Sequence, residues 1–228
     1  LAHQLALPCV HSAAIQIVYH MCTGEGGRLR TIGAAAERVG AKVVVDEVYL
    51  EYCVPERATP AATLGPAFVS INSTTKVMGL GHLRIGWALC QDELLIGRLR
   101  RAFLHDAINL ATPSVSIALA ALERRGHLLA RARQGLDAAR RTVIAWADRR
   151  SDVVFHPPDA GHMAWMELLS PGLTGREVTE HLIRHGRTVI APGDFFGDPR
   201  GLRIGYGRPP EILAESLRRL GATLDALP

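Results

Sequence analysis

Of the 26 lysines and arginines in this 228-residue chain, only Lys42 and Lys76 are lysines. Charge is otherwise carried by arginine. Lys76 lies in "NSTTKVMGLGHLRIGW", a small, polar, glycine-punctuated stretch. Arginine stays protonated, whereas a partly desolvated lysine can lose its proton and attack a carbonyl to form a Schiff base. A solvated loop charge is the alternative that spacing alone leaves open, so the surroundings must decide.

Other chemistry-bearing side chains stand where strands are expected to end. "AKVVVDEVY" reads as a short, buried parallel strand closing in acids, which puts Asp46 at the rim of a sheet, followed by Tyr49. "AFVSIN" reads as the next strand and leads directly into Ser73 and Lys76, with Arg84 beyond them. A carboxylate, a phenol, a hydroxyl, a lysine and an arginine on one rim suit a flat ligand. It would carry a basic ring nitrogen, a phenolate, an aldehyde and a phosphate.

The elements needed to position these groups alternate. "AAIQIV" reads as a strand, "LRTIGAAAERVG" as a helix closed by Gly40, "RIGWALC" as a strand and "QDELLIGRLRRAFL" as a helix. This rhythm predicts an α/β fold, a mostly parallel sheet with helices on both faces, with functional groups at the carboxyl ends of strands. Past about residue 110 the character changes. Two long Ala/Leu/Arg helices are followed by the short strands "DVVFH" and "GHMAWMEL", then by "GREVTEHLIRHG" as a helix. The strands "TVIAP" and "GLRIGYG" and a terminal helix from about Pro210 complete the chain. The expected organisation is a large-domain portion over residues 1–110 and a smaller C-terminal α+β domain over 111–228.

"VVVDEVYLEY", "NSTTKVMGLGHLRIGW" and "GLRIGYG", in that order, resemble the class I/II aminotransferases, pyridoxal-phosphate (PLP) enzymes of the aspartate-aminotransferase fold. The resemblance runs from about residue 13 to the end. It implies a PLP enzyme that moves an amino group between an amino acid and a 2-oxo acid. Lys76 would form the Schiff base and Asp46 would pair with the ring nitrogen. Tyr49 would donate to the phenolate, Ser73 and Arg84 would hold the phosphate, and Arg203 would clamp the substrate's α-carboxylate. Within the same fold a decarboxylase, a C–S lyase or an acyl-transferring synthase is an alternative. So is a non-catalytic, aminotransferase-like fragment. A homodimer is implied by the resemblance alone. Asp194, Phe195 and Phe196 in "APGDFFG" match a family loop near the substrate entrance, chiefly packing in role.

Two departures stand out. Met21 and Cys22 occupy positions where the family has Asn-Pro, and a methionine cannot supply the hydrogen bond that the asparagine gives the phenolate oxygen. The family's chains are also longer. The N-terminal half of their large domain, with a phosphate cradle, a ring-stacking aromatic and much of the dimer contact, has no counterpart here.

Other classes find less support. The net charge of +4 is mild and no basic block interleaves with aromatics, so a nucleic-acid role is not expected. No apolar run approaches the roughly 20 residues that span a bilayer. The opening "LAHQLALPCV" lacks the basic region of a secretory signal. Cys9, Cys22, Cys53 and Cys90 form no CxxC pair, which predicts neither a disulfide framework nor a zinc site and suggests a cytoplasmic setting. His181 and His185 have helical ligand spacing without an evident third ligand, and a solvated helix face is the expectation there.

Overall fold

A computed structural model describes residues 15–17, 26–53, 59–158 and 161–227. These residues group into two compact units that divide within one long helix, between Ala132 and Arg133, further along the chain than the change of composition near residue 110.

In the first unit, β1 (Ile15–Ile17), β2 (Val43–Asp46), β3 (Phe68–Ser73) and β4 (Gly86–Cys90) lie in that order in one sheet. β1, β2 and β3 are parallel, as the alternation of strands and helix predicts, and β4 is antiparallel to β3. The antiparallel step has a simple cause. The segment from Thr74 to Ile85, which carries Lys76, is a loop that reverses the chain, whereas a parallel crossover takes a helix. Helix α1 (Gly26–Arg38) directs Leu29, Ile32 and Ala36, one stripe at helical spacing, onto Val43, Val45 and Phe68. Gly33 lets it come close, because a Cβ there would meet the Phe68 ring at 2.5 Å. Gly40, at φ 65°, ends the helix in the left-handed conformation that glycine adopts without penalty. α2 (Glu93–Asp106) is capped by Asp92, whose carboxylate accepts the Leu95 N–H at 3.0 Å. It carries Leu94, Phe103 and Leu104 exposed, Leu94 at 77%. α3 (Thr112–Glu123) and α4 (Arg125–Ala147) are the two long helices expected from sequence.

In the second unit, β5 (Val153–His156), β6 (Met163–Leu168), β7 (Ala191–Pro192) and β8 (Gly201–Gly205) form an antiparallel sheet in the order β5-β6-β8-β7. Alternate residues Ala164, Met166 and Leu168 of β6, and Leu202 and Ile204 of β8 followed by Tyr206, point into one core. Val143 from α4, Val178 from α5 (Gly175–His181) and Leu213, Leu217, Leu220 and Leu224 from α6 (Pro210–Ala226) close over it. α5 opens with a capping box between Thr174 and Glu177. The expected strand "TVIAP" shrinks to two residues at the sheet edge, where Pro192 has no N–H to give a further neighbour.

Among the described residues no helix is long and apolar enough to cross a membrane. Cys90 is a free thiol, but Cys53 is disulfide-bonded. Cysteine spacing argues only against a disulfide framework, so this single bond carries no sequence signal.

Candidate active site

Strand register collects the candidate residues of the first unit. Asp46, the last residue of β2, pairs with Ile71 on β3, so Ser73 lies just beyond it on the same face at the carboxyl end of the sheet. Ser73 in turn pairs with Gly86 on the antiparallel β4, which brings Arg84 to that end. The chain approaches closely here, since a Cβ on Gly86 would meet Asn72 O at 3.0 Å and Ser73 Cβ at 3.3 Å. Asp46, Tyr49, Ser73, Lys76 and Arg84 therefore all belong to one rim.

Local hydrogen bonds hold each in place. Asp46 Oδ1 accepts the Val48 N–H at 3.1 Å, which shapes the turn leading to Tyr49. Tyr49 precedes a 3₁₀ turn over Leu50–Tyr52, and its ring stacks on Tyr52 at 6.3 Å and 20°. Ser73 Oγ accepts the Thr75 N–H at 3.2 Å. Thr74, at 0% exposure, is the fastener of the lysine loop: its N–H donates to Ile85 O at 3.1 Å, and its carbonyl accepts the Leu80 N–H at 3.0 Å. Buried Val77 and Met78 follow Lys76 and anchor the loop from below. Arg84 adopts the left-handed region, φ 57° and ψ 36°, which an arginine does at some cost, and donates to Gly81 O at 3.2 Å.

The two lysines differ sharply. Lys42 Nζ is tied to Asp92 Oδ2 at 2.7 Å and to Pro66 O at 2.9 Å. Lys76 is exposed, and its amine has no hydrogen bond or ion pair among the described residues.

Glu47, beside Asp46, is buried and accepts from Ala61 N at 2.6 Å and from Ser70 Oγ at 2.8 Å. Burial pushes its carboxyl above the ordinary value, against these two hydrogen bonds. Its acidic character was visible in sequence, but its partners were not.

Arg203 lies in the second unit, on β8 between Trp165 of β6 and Ala191 of β7. Its guanidinium sits 4.7 Å over the Phe196 ring, and Phe196 meets Trp165 edge-on at 5.8 Å and 90°. No carboxylate pairs with Arg203 among the described residues. Asp194, on the same short turn as Phe196, pairs with Arg176 at 3.3 Å. His181 and His185 pack with ring centroids 4.5 Å apart, and no group of three metal-binding side chains occurs among the described residues. Met21 and Cys22 lie outside the described residues.

The family description "Aminotransferase class I and II" matches residues 27–220, spanning the lysine loop and the arginine strand. The chain belongs to the class I and II aminotransferase family. An aspartate aminotransferase of Streptomyces avermitilis is 23% identical over 214 residues, covering 85% of this chain and 50% of that protein. The cystathionine beta-lyase PatB of Bacillus subtilis is 22% identical over 209 residues, 86% of this chain and 53% of that one. A crystal structure of a PLP-dependent aminotransferase from Streptococcus suis superposes with a TM-score of 0.82 at 21% identity, covering 89% of this chain and 54% of that chain, a likeness of fold. The chain spans about half the length of the relatives it matches.

Proposed function

We propose that this chain carries the lysine-bearing part of a PLP-dependent aminotransferase that moves an amino group between an amino acid and a 2-oxo acid. One observation carries the reading. The lysine with no partner among the described residues stands on the rim that also holds Asp46, Tyr49, Ser73 and Arg84, while the other lysine is locked into the fold. Pyridoxal phosphate is the cofactor supported by the family and by its neighbours in fold. The donor set fits it: a guanidinium and a hydroxyl for a phosphate, a carboxylate for a pyridinium, a phenol for a phenolate, and an amine for an aldehyde.

When bound, PLP would supply an electron sink for the Cα proton loss of an amino acid. The chain's residues would do the rest. Lys76 Nζ would hold the cofactor carbonyl and would take and return the Cα proton. The Asp46 carboxylate would keep a proton on the ring nitrogen, because an anion in contact favours the charged form. Tyr49 would donate its hydroxyl to the phenolate, and Ser73 and Arg84 would hold the phosphate. Arg203, whose guanidinium lies over the Phe196 ring, would receive the substrate carboxylate through its two-pronged fork. The same proposal includes a homodimer. The apolar side chains exposed on α2 support the dimer.

The likeness to a beta-lyase gives a second reading, elimination at the β carbon, and products separate the two. The chain is incubated with PLP and single amino acids, and the mixture is read by mass spectrometry. Transamination gives the 2-oxo acid together with pyridoxamine phosphate, both lost in Lys76→Ala. A lyase releases the β substituent, for a C–S bond as the thiol, with ammonia and a 2-oxo acid, and leaves no pyridoxamine phosphate. Absence of both sets of products with the intact chain refutes catalysis by this polypeptide.

A further inference from the structure

Two carboxylates follow Asp46 in its turn, and the chemistry above uses neither. Glu47 faces the interior and is occupied by Ala61 N and Ser70 Oγ. Glu51 is half-buried. Its two oxygens accept from Asn72 Nδ2 at 3.1 and 3.3 Å. Asn72 is only 9% exposed, and its Oδ1 accepts the Ser73 N–H at 2.7 Å. Ser73 Oγ then accepts the Thr75 N–H at 3.2 Å. An unbroken series of hydrogen bonds thus runs from the 3₁₀ turn that follows Tyr49 to the residue immediately before Lys76.

The location of this series matters. The ladder between β2 and β3 ends where Glu47 N donates to Ile71 O at 2.9 Å. Past that point both chains leave the sheet, one toward Tyr49 and the other toward Lys76. Asparagine suits the junction because one amide can donate to a carboxylate while its oxygen accepts a backbone N–H. The carboxylate makes the donated bond a charge-assisted one, stronger than a neutral pair.

We propose that Glu51, acting through Asn72, is a positioning residue that sets the Lys76 amine relative to the Tyr49 hydroxyl. The proposal rests on the reading of Lys76 as the cofactor-binding lysine. The role of Glu51 is to hold the spacing of the amine and the hydroxyl.

The test uses Glu51→Ala, Glu51→Gln and Asn72→Asp in the intact chain, with two readouts. The first needs no cofactor: amide hydrogen exchange at Ser73 and Thr75, and the pH profile of Lys76 labelling by trace acetic anhydride. The second is the pH midpoint of the visible absorbance formed with PLP. Glu51→Ala is expected to speed exchange at Ser73 and Thr75 about tenfold, the equivalent of one lost buried hydrogen bond. It should also move the labelling profile and the absorbance midpoint away from those of the wild type. Asn72→Asp, which keeps the acceptor for Ser73 and loses the donor to Glu51, should do the same. Glu51→Gln, which keeps an acceptor for Asn72, should restore most of the wild-type behaviour. Unchanged profiles in Glu51→Ala and Asn72→Asp, or a failure of Glu51→Gln to restore them, overturn the proposal. If the wild type shows no absorbance with PLP, the cofactor reading fails, and exchange and labelling still decide whether Glu51 positions Lys76.

Discussion

Replacing Gly201 with alanine tests how the second unit builds the platform for Arg203. Gly201 lies on β8, and the added methyl would fall within the indole ring of Trp165, inside any permissible contact distance. Trp165 has little freedom to yield, because Phe196 stands edge-on to it at 5.8 Å and Arg203 rests on the far ring. Overpacking of this kind costs about 1–3 kcal/mol. Displacing the indole also loses the Trp165–Phe196 pair, worth about 0.5–1.5 kcal/mol beyond its buried area. The sum is a loss of about 2–4 kcal/mol in unfolding free energy, read from urea denaturation followed by far-ultraviolet circular dichroism. A second substitution, Trp165→Leu, removes the obstacle, so the double variant should recover much of the loss relative to the sum of the single changes. A Gly201→Ala protein within about 0.5 kcal/mol of wild type, or a double variant that is strictly additive, refutes the reasoning.

Three further expectations concern single groups. Tyr206 is fully buried and its hydroxyl donates to Gly161 O at 2.7 Å, so Tyr206→Phe should cost about 1–2 kcal/mol in the same denaturation assay. Glu47 has its folded pKa raised by burial, so its contribution to stability is present in full below the unfolded value of 4.5 and is lost as pH rises through the folded value. Glu47→Gln should flatten that part of the stability–pH curve while keeping an acceptor for Ala61 N. Arg150 donates to Asp152 at 2.8 and 2.6 Å and to Asp225 at 2.7 Å, and holds the Asp152 carboxyl below its ordinary value. Asp152 therefore contributes stability above the unfolded pKa of 3.8 that is lost as pH falls through the folded one, and Arg150→Met should lose about 1–2 kcal/mol at neutral pH and flatten the acid limb.

The parts of this protein legible in sequence were those announced by residue type at the end of a strand. Asp46 closes an all-valine strand, and Lys76 stands out among arginines, so both could be placed on a rim before any register was known. Arg203 could be singled out by the motif around it, but its Phe196 platform arises from a turn meeting a strand, which no local pattern reports. Glu51, Asn72 and Thr74 were passed over because their roles depend on which residues the β2–β3 register sets opposite one another. The same holds for Cys53, whose disulfide follows from tertiary proximity. β7 is shorter than its β-branched run implies: pairing with β8 takes in only Ala191 and Pro192, and Pro192 has no N–H to donate. The division inside α4 carries no sequence signal, because a continuous helix shows no break in composition.

The central claim is that Lys76, and not Lys42, is the cofactor-binding amine. The direct measurement is to incubate the purified chain with PLP, reduce it with borohydride and map the pyridoxyl group by peptide mass spectrometry. The account expects the adduct on Lys76, with Lys42, held by Asp92 and Pro66 O, essentially unmodified. Equal labelling of the two lysines, or none on Lys76, would contradict it.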